Sequence, residues 1–272
     1  MHLIAIGGDQ RMKGILRAAR KSGWQCTHIL KEEEFLELPE RVDAVVLPWP
    51  KSFSASKVTG CDISVEKHLA KLPACDILMG GGLSNMNFPC AGRIFDPSGD
   101  EKLLVLNAKL TAEGAVSALL GSSNDALLGK VCLITGFGRI AQALAKRLCA
   151  LEMFVIVCAR NEQQMQLAHR IGAHPVPLCR LSEACAQADV VFNTVPCRIF
   201  TGEALAQMKQ GARFIELASA PYGADPEQAV QLGVSMEIMG GIPGKYAPDC
   251  AGEALFEAML RAMKEHAGKE GA

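Results

Sequence analysis

The fold is decided by the stretch Val131-Cys132-Leu133-Ile134-Thr135-Gly136-Phe137-Gly138-Arg139-Ile140-Ala141. Its first four residues are apolar and predict a buried strand, and the apolar residues after the glycines recur with helical spacing. The two glycines and Ala141 match the pattern G-x-G-x-x-A. A strand before this pattern and a helix after it are the context that makes it indicative of a nucleotide-binding unit.

Each small residue of the pattern has a physical role. Gly136 permits the tight turn, Gly138 lets the backbone approach a pyrophosphate, and Ala141 keeps the helix close to the strand. The N-terminus of the helix directs free N–H groups at the phosphates. The stretch therefore predicts a dinucleotide site, although a plain tight turn in an α/β domain would give the same pattern. From this loop the predicted cofactor-binding residues are Gly136, Phe137, Gly138, Arg139 and Ile140.

The next apolar strand predicts which dinucleotide is bound. It covers about residues 154–158 and ends at Ala159-Arg160-Asn161. An NAD site usually has an acidic residue about 20 positions after the glycines, to hold the ribose hydroxyls. A guanidinium suits a 2′-phosphate instead. We therefore predict NADP, contacted by Arg160 and Asn161; the alternative is that Arg160 is solvated and selects nothing.

Two later strands predict the nicotinamide end of the site. They cover about residues 189–193 and 213–217. Ligands of parallel α/β sheets lie outside the carboxyl ends of the strands. The residues predicted to border the nicotinamide are therefore those that follow the two strands: Thr194, Val195, Pro196, Ala218 and Ser219.

The N-terminal part of the chain predicts a second α/β domain. Apolar strands near residues 3–6, 42–47 and 76–79 end in glycine or proline, and a helix is predicted over 10–22. Strands that alternate with helices indicate a parallel sheet. We predict a two-domain α/β fold, with an N-terminal parallel α/β domain and a C-terminal NAD(P)-binding Rossmann domain.

The predicted domain boundaries follow from the same patterns. The first domain covers residues 1–121; it includes a short strand at 103–106 and ends in a crossing helix at 112–121, which Thr111 would cap. The Rossmann domain covers 122–249. A final helix in 250–272 is predicted to return toward the first domain.

Composition excludes several classes of function. The net charge of −1 gives no electrostatic case for binding nucleic acid. The first apolar run is too short for a signal peptide, and no apolar stretch is predicted to span a membrane, so we expect a soluble, cytoplasmic protein. The eleven cysteines form no C-x-x-C pair, which favours reduced, buried thiols and no metal site.

Several short motifs occur in a distinctive order. They are Gly7-Gly8-Asp9-Gln10-Arg11, Leu83-Ser84-Asn85, Thr111-Ala112-Glu113-Gly114, the glycine fingerprint, and the run 241–248 followed by Ala251-Gly252. Over essentially its whole length the chain resembles the A subunits of dipicolinate synthase from spore-forming bacteria. It departs from that pattern at Glu216, where Asp is expected, and at Asp249, where Lys is expected.

The resemblance implies a function. Enzymes of this family oxidise dihydrodipicolinate, or its hydrated precursor, to dipicolinate during sporulation, with reduction of NADP. It also implies that the chain has a partner, which is a second, flavoprotein-like synthase subunit. We further expect a homo-oligomer.

A small dicarboxylate substrate calls for cationic contacts. Arg11 is the first candidate, with Lys51 and Arg198 as weaker ones. The other predicted catalytic residues are Asn85 and Thr111, which could hydrogen-bond the substrate, and Glu113, which could accept a proton. Glu113 could instead favour the helix dipole, Asp9 is a second candidate base, and water could also take the proton.

Two other functions fit the same sequence. One is a reductase similar to shikimate dehydrogenase, which usually needs a Lys–Asp pair that cannot be placed in this sequence. The other is a non-catalytic NADP-binding sensor or scaffold, which would bind cofactor without turnover.

Overall fold

The computed structural model describes residues 1–83, 86–121 and 126–270. In chain order the strands are β1 (His2–Ile6), β2 (Gln25–Ile29), β3 (Arg41–Val46), β4 (Phe53–Ser54), β5 (Lys57–Val58), β6 (Ala74–Met79), β7 (Ala91–Phe95), β8 (Val131–Thr135), β9 (Phe154–Ala159), β10 (His174–Pro177), β11 (Val190–Asn193), β12 (Arg213–Glu216) and β13 (Ser235–Ile238). The α-helices are α1 (Gln10–Lys21), α2 (Val65–His68), α3 (Glu101–Gly121), α4 (Arg139–Ala150), α5 (Glu162–Arg170), α6 (Leu181–Cys185), α7 (Gly202–Ala206), α8 (Pro226–Gln231), α9 (Ile242–Tyr246) and α10 (Pro248–Glu270).

The chain forms two compact units. The first contains Met1–Asn107 and Pro243–Ala272, and the second contains Ala108–Ile242. In the first unit five parallel strands lie in the order β2-β1-β3-β6-β7. This is the doubly wound order in which a ligand site is expected outside the carboxyl ends of β1 and β3, where the winding reverses.

The C-terminal helix belongs to the first unit. Helix α10 packs on α1 so closely that the two backbones touch. A Cβ on Gly252 would lie 2.3 Å from the carbonyl oxygen of Arg11, and one on Gly14 would lie 2.6 Å from that of Pro248. The Ala251-Gly252 motif is therefore explained by helix packing, because a larger residue at position 252 would force α1 and α10 apart.

The second unit has a six-stranded parallel sheet in the order β10-β9-β8-β11-β12-β13. Numbered within the unit, this is 3-2-1-4-5-6, the Rossmann order. Strands β8 and β11 are buried along almost their whole length, as expected for central strands covered on both faces. The predicted fold class, a two-domain α/β chain whose second domain has the Rossmann topology, is confirmed.

The run at residues 103–106 is helical, so the predicted strand is wrong. Helix α3 starts at Glu101, and Asp100 caps it by accepting a hydrogen bond from the Leu103 amide at 2.8 Å. Four apolar residues fit a buried strand and a buried helix equally well, and the capping aspartate was the signal that decides between them.

The boundaries of the units also differ from the predicted ones. They fall at Asn107/Ala108 and Ile242/Pro243, where 121/122 and 249/250 were predicted. The first boundary lies inside α3 because that helix is 21 residues long and passes from one unit into the other. Since α3 is continuous across Asn107/Ala108, the end of a helix in the sequence did not mark this boundary.

Helix α3 bears on the membrane prediction. It is the single helix among the described residues whose length and apolar composition would allow it to cross a bilayer. The expectation that no such stretch exists is therefore wrong. Half of the apolar stretch of this helix is buried inside the protein. The core helix of a soluble protein has the same properties, so this helix is weak evidence for a membrane span.

Candidate functional site

The glycine loop after β8 has the geometry of a phosphate-binding turn. Gly136 has φ +79°, and its amide donates to the Cys158 carbonyl at 2.8 Å, which fixes the turn against β9. A Cβ at this position would lie 2.8 Å from Cγ2 of Val195. Both the positive φ and the close approach of the Val195 loop require glycine.

Gly138 is glycine for a different reason. Its φ of −76° suits any residue, and a Cβ there would meet no atom of the described residues within 4 Å. Gly138 is also the N-cap of α4, and no side chain in the described part of the chain caps that helix. The open space and the uncapped amides of the first turn fit the pyrophosphate of a dinucleotide.

Four other helices of the protein are capped by the side chain of the residue that precedes them. Asp9, Asn161, Thr201 and Asp225 each accept a first-turn amide, in α1, α5, α7 and α8 respectively. Helices α2 and α6 also lack a side-chain cap, so the uncapped N-terminus of α4 points to a phosphate only together with the glycine fingerprint. The chain supplies no acceptor at the one helix end where the fingerprint predicts a phosphate.

Arg160 follows β9 directly, beside the glycine loop. It is exposed and makes no ion pair or hydrogen bond with any residue that the structure describes. Its guanidinium is therefore available to a ligand. The neighbouring Asn161 is committed locally, because its side chain accepts the Gln164 amide at 2.8 Å as the cap of α5.

The loops predicted to border the nicotinamide lie side by side, after β11 and β12. Thr194 donates its hydroxyl to the Thr135 carbonyl at 2.7 Å, and the Val195 amide donates to Oδ1 of Asn193 at 3.1 Å. The Ala218 amide donates to Oε1 of Glu216 at 2.8 Å. Pro196 and Ser219 are exposed. Both loops are thus fixed by polar groups at the ends of the strands.

Those polar groups form a buried network that the sequence prediction missed. Thr135, Asn193 and Glu216 end three adjacent strands and are fully buried. The Thr135 hydroxyl donates to Oδ1 of Asn193 at 2.6 Å, and Nδ2 of Asn193 donates to Oε1 of Glu216 at 2.7 Å. A polar residue at the end of each apolar strand was the signal that could have revealed it.

Glu216 is surrounded by donors. Its two carboxylate oxygens accept the Asn193 side chain and the amides of Ala218 and Gly223, the last at 2.8 Å. Burial raises the pKa of Glu216 above its usual range, while these hydrogen bonds act in the opposite direction. Since every neighbour donates, the arrangement fits the ionised carboxylate, as a carboxyl proton would have no acceptor.

The first unit has a cavity at the predicted position for its fold. It encloses about 130 Å³ outside the carboxyl ends of β1 and β3, between residues 8–12 and residues 47–51. The remaining lining residues are mainly apolar, and the polar side chains are those of Asp9, Arg11, Lys51 and Thr59. The Thr59 hydroxyl is buried and has no hydrogen-bond partner among the described residues, so a ligand in this cavity could supply one.

Arg11 does not stand alone in this cavity. Its Nε and Nη2 donate to the Asp9 carboxylate at 2.9 and 2.7 Å, and its guanidinium lies 5.8 Å from the centre of the Trp49 ring. The side chain is only 12% exposed. Arg11 is therefore held in place, and its Nη1 donates to no described residue.

Asp9 is a poor candidate for a base. It caps α1 through the Arg11 amide as well as pairing with the Arg11 side chain. Burial raises the pKa of Asp9, but the hydrogen bonds and charge of Arg11 outweigh it, so the pKa is lowered. A carboxylate stabilised in this way gains little from accepting a proton.

The remaining predicted catalytic residues lie elsewhere. Asn85 is outside the described residues. Thr111 is buried in the interior of α3 and cannot cap it, because the helix begins ten residues earlier. Glu113 pairs with Arg147 at 2.7 Å inside the second unit and is not in a first helical turn. The predictions that Thr111 caps a helix and that Glu113 favours its dipole are both wrong, because they assumed a helix that starts at residue 112.

Two further predictions are changed by ion pairs. Arg198, a weaker candidate for the substrate carboxylate, pairs with Asp225 at 2.5 Å on the surface. Asp249, which stands where Lys was expected, pairs with Arg17 in the first unit. No group of described His, Cys, Asp or Glu residues has the arrangement of a metal site.

Comparison with known proteins agrees with this geometry. Residues 108–224 match the family described as D-isomer specific 2-hydroxyacid dehydrogenase, NAD binding domain. Over 245 residues the chain is 24% identical to the A subunit of dipicolinate synthase from Bacillus subtilis, covering 86% of this chain and 82% of that protein. The chain has the fold of a dipicolinate synthase A subunit. This follows from two solved structures.

The first of these structures is the A subunit of dipicolinate synthase from Bacillus halodurans, with TM-score 0.81, 24% identity and coverage of 96% of this chain and 97% of that one. The second is the corresponding polypeptide of the Bacillus subtilis enzyme, with TM-score 0.82, 22% identity and coverage of 99% and 97%. The resemblance to these subunits and the prediction of an NAD(P)-dependent oxidoreductase fold are confirmed.

Proposed function

We propose that this chain is an NADP-dependent oxidoreductase that oxidises dihydrodipicolinate, or its hydrated precursor, to dipicolinate. The observation that carries the proposal is the glycine loop of the second unit, which has an open position at Gly138 and an uncapped helix. Beside it lies Arg160, which pairs with no residue that the structure describes. The similarity to dipicolinate synthase A subunits supports the substrate.

The residues that follow β9, Arg160 and Asn161, favour NADP over NAD. Arg160 is exposed and has no partner among the described residues, and no carboxylate stands at position 160 or 161 to hold a bare ribose. A guanidinium donates to a phosphate through charge-assisted, bidentate hydrogen bonds. When bound, NADP supplies the hydride acceptor; the protein holds the dinucleotide through the loop 136–140 and orders the loops after β11 and β12.

The substrate is assigned to the first unit. The cavity beside Arg11 is lined by apolar side chains and has a guanidinium that Asp9 holds in a fixed orientation. A flat ring with carboxylates matches both features, as the ring would contact the apolar lining and one carboxylate would accept from the unused Nη1. The unpaired Thr59 hydroxyl offers a second contact.

The proton released on oxidation goes to water in this proposal. Glu113 is paired with Arg147 and Asp9 with Arg11, so neither predicted base is available. Formation of an aromatic ring is itself strongly favourable, and the reaction then does not need a strong base in the protein.

The expected partner is a second synthase subunit. The similar proteins are named as A subunits, which implies a further subunit in those enzymes. We propose the same for this chain, together with a homo-oligomeric state and a cytoplasmic location in the sporulating cell.

The deciding experiment combines binding and turnover. The purified chain is given NADP and 4-hydroxytetrahydrodipicolinate, the aldolase product, with and without the flavoprotein-like subunit. We expect NADPH to form and dipicolinate to appear in equal amount. Shikimate and a simple 2-hydroxyacid serve as control substrates, because the fold of the second unit also occurs in 2-hydroxyacid dehydrogenases.

The possible outcomes of this experiment support different functions. Turnover of shikimate or of the 2-hydroxyacid in place of the dipicolinate precursor would contradict the proposed substrate and support a reductase. Tight binding of NADP without turnover, even when the partner is present, would support a sensor or scaffold.

A further inference from the structure

Glu216 differs from the other carboxylates of the protein. It is the one Asp, Glu, Lys or Arg that is fully buried among the described residues. Three partly buried carboxylates pair with cations: Asp9 with Arg11, Asp100 with Arg261, and Asp189 with Lys209. Asp43 and Asp96 accept from backbone amides, but both are more exposed than Glu216. Glu216 has only neutral N–H donors around it.

An unpaired buried charge is costly, and holding the loops does not require one. A neutral side-chain carbonyl could accept amide hydrogen bonds, whereas an ion taken out of water loses solvation that hydrogen bonds only partly replace. Gly223 shows how tightly the site is built, since a Cβ there would lie 2.4 Å from Nδ2 of Asn193. The charge of Glu216 therefore calls for an explanation beyond packing.

The position of Glu216 supplies that explanation. It ends β12, and its oxygens accept from Ala218 in the loop after β12 and from Asn193, the last residue of β11. Glu216 therefore lies at the base of both loops proposed to border the nicotinamide. The nicotinamide ring is cationic in NADP⁺ and neutral in NADPH. A negative charge in a region of low dielectric stabilises a nearby cation more than the neutral form.

We infer that Glu216 is a specificity-determining residue that makes the second unit bind NADP⁺ more tightly than NADPH. The inference rests on the proposed function, because it takes NADP as the cofactor. Such a preference suits an oxidation, since it keeps the hydride acceptor bound and favours release of the reduced product.

The test compares two dissociation constants. Titration calorimetry gives the Kd of NADP⁺ and of NADPH for the wild-type chain, for Glu216→Gln and for Glu216→Asp. We expect the wild type to prefer NADP⁺, and Glu216→Gln to reduce that preference about tenfold, by loss of one charge. Glu216→Asp keeps the charge and should keep the preference, even if both affinities fall.

Matched controls separate charge from structure. Glu203→Gln removes the same charge from an exposed position in α7 and should leave the ratio of the Kd values of NADP⁺ and NADPH unchanged. Thr135→Val removes a hydrogen bond of the same network without changing its charge, and should weaken both nucleotides equally. A Glu216→Gln protein that loses both affinities in equal proportion would overturn the inference and leave Glu216 a structural residue.

The inference can also be tested without a mutation. If Glu216→Gln does not fold, as judged by circular dichroism, the wild-type chain is titrated with NADP⁺, NADPH and 2′-phospho-ADP-ribose, which lacks the nicotinamide. NADP⁺ should bind more tightly than the other two, and a preference for NADPH would overturn the inference. Failure of all three to bind would instead overturn the proposed cofactor site itself.

Discussion

The loops after β1 and β8 start in the same way and end differently. In each, a glycine with positive φ follows the strand: Gly7 at +63° and Gly136 at +79°. Each glycine amide donates to a carbonyl of the neighbouring strand, Gly7 to Ile29 at 2.9 Å and Gly136 to Cys158 at 2.8 Å. The two turns are thus equivalent as far as the glycine.

The next residues separate the two loops. Asp9 caps α1 and binds Arg11, so the first unit places its own carboxylate at that helix end. Gly138 leaves the end of α4 without a side-chain cap and open to solvent. In the first unit the strand-turn-helix therefore has a protein carboxylate at its N-cap, and in the second unit the same position is open for the ligand phosphate that we propose.

The largest expected effect comes from making the second loop like the first. Gly138→Asp should cap α4 and place a negative charge where the pyrophosphate is proposed to bind. We expect NADP affinity to fall by roughly 3 kcal/mol, about a hundredfold in Kd, while stability changes by only a few tenths of a kcal/mol. Calorimetric titration and thermal unfolding measure the two effects.

Gly138→Ala is the matched control for that change. It adds a Cβ to the same open position without a charge, and its effect on affinity should be smaller than that of aspartate. If both variants bind NADP as well as the wild type, the open position at Gly138 does not receive the pyrophosphate.

A smaller effect is expected at Arg160, which follows β9 beside the glycine loop. Arg160→Asp should weaken NADP binding about 10- to 100-fold, since a hydrogen bond to a charged group is worth about 1.5–3 kcal/mol, and should leave NAD binding similar or stronger. The ratio of the two dissociation constants is the measurement. Arg170→Asp, an exposed change at the end of α5, is the control. Equal losses for both nucleotides would show that Arg160 does not contact the 2′-phosphate.

The first unit offers a third test. Asp9→Asn keeps a cap on α1 but removes the charge that orients Arg11. We expect the KM for the dicarboxylate to rise several-fold with a smaller change in kcat, and the stability to fall by less than about 1 kcal/mol, as for a half-exposed ion pair. Steady-state kinetics measure this. Arg17→Ala, which breaks the surface pair with Asp249, should leave KM unchanged.

The smallest effects concern stability against pH. The pKa of Asp9 is lowered in the folded protein, so its contribution is present above the unfolded pKa, near 4, and is lost as the pH falls through the folded value. The pKa of Glu216 is raised, so its contribution has the opposite sign and is lost as the pH rises through the folded value.

Thermal unfolding midpoints between about pH 3 and pH 7 test both signs. Asp9→Asn should flatten the decline in stability toward acid, and Glu216→Gln should reduce any decline on the alkaline side of that range. If the two variants changed the profile in the same direction, one of the two assignments would be wrong.

The sequence predicted well wherever a pattern is local. The glycine fingerprint, the apolar strands and the position of Arg160 were all recognised, because backbone geometry near glycine and the burial of a strand depend on adjacent residues. The strand at 103–106 was predicted wrongly since a short apolar run is ambiguous. Thr111 and Glu113 were then given roles that depended on a helix start that does not exist.

What the sequence alone determined is the fold class, the two α/β units and the glycine loop at which we propose that a dinucleotide binds. Only the tertiary structure decided which charges are already paired. The pair of Glu113 with Arg147 and the contacts of Glu216 with three N–H donors are set by packing. The reason is physical: what a charged side chain can do at a site depends on which neighbours already bond it, and neighbours distant in sequence are brought together only by the fold.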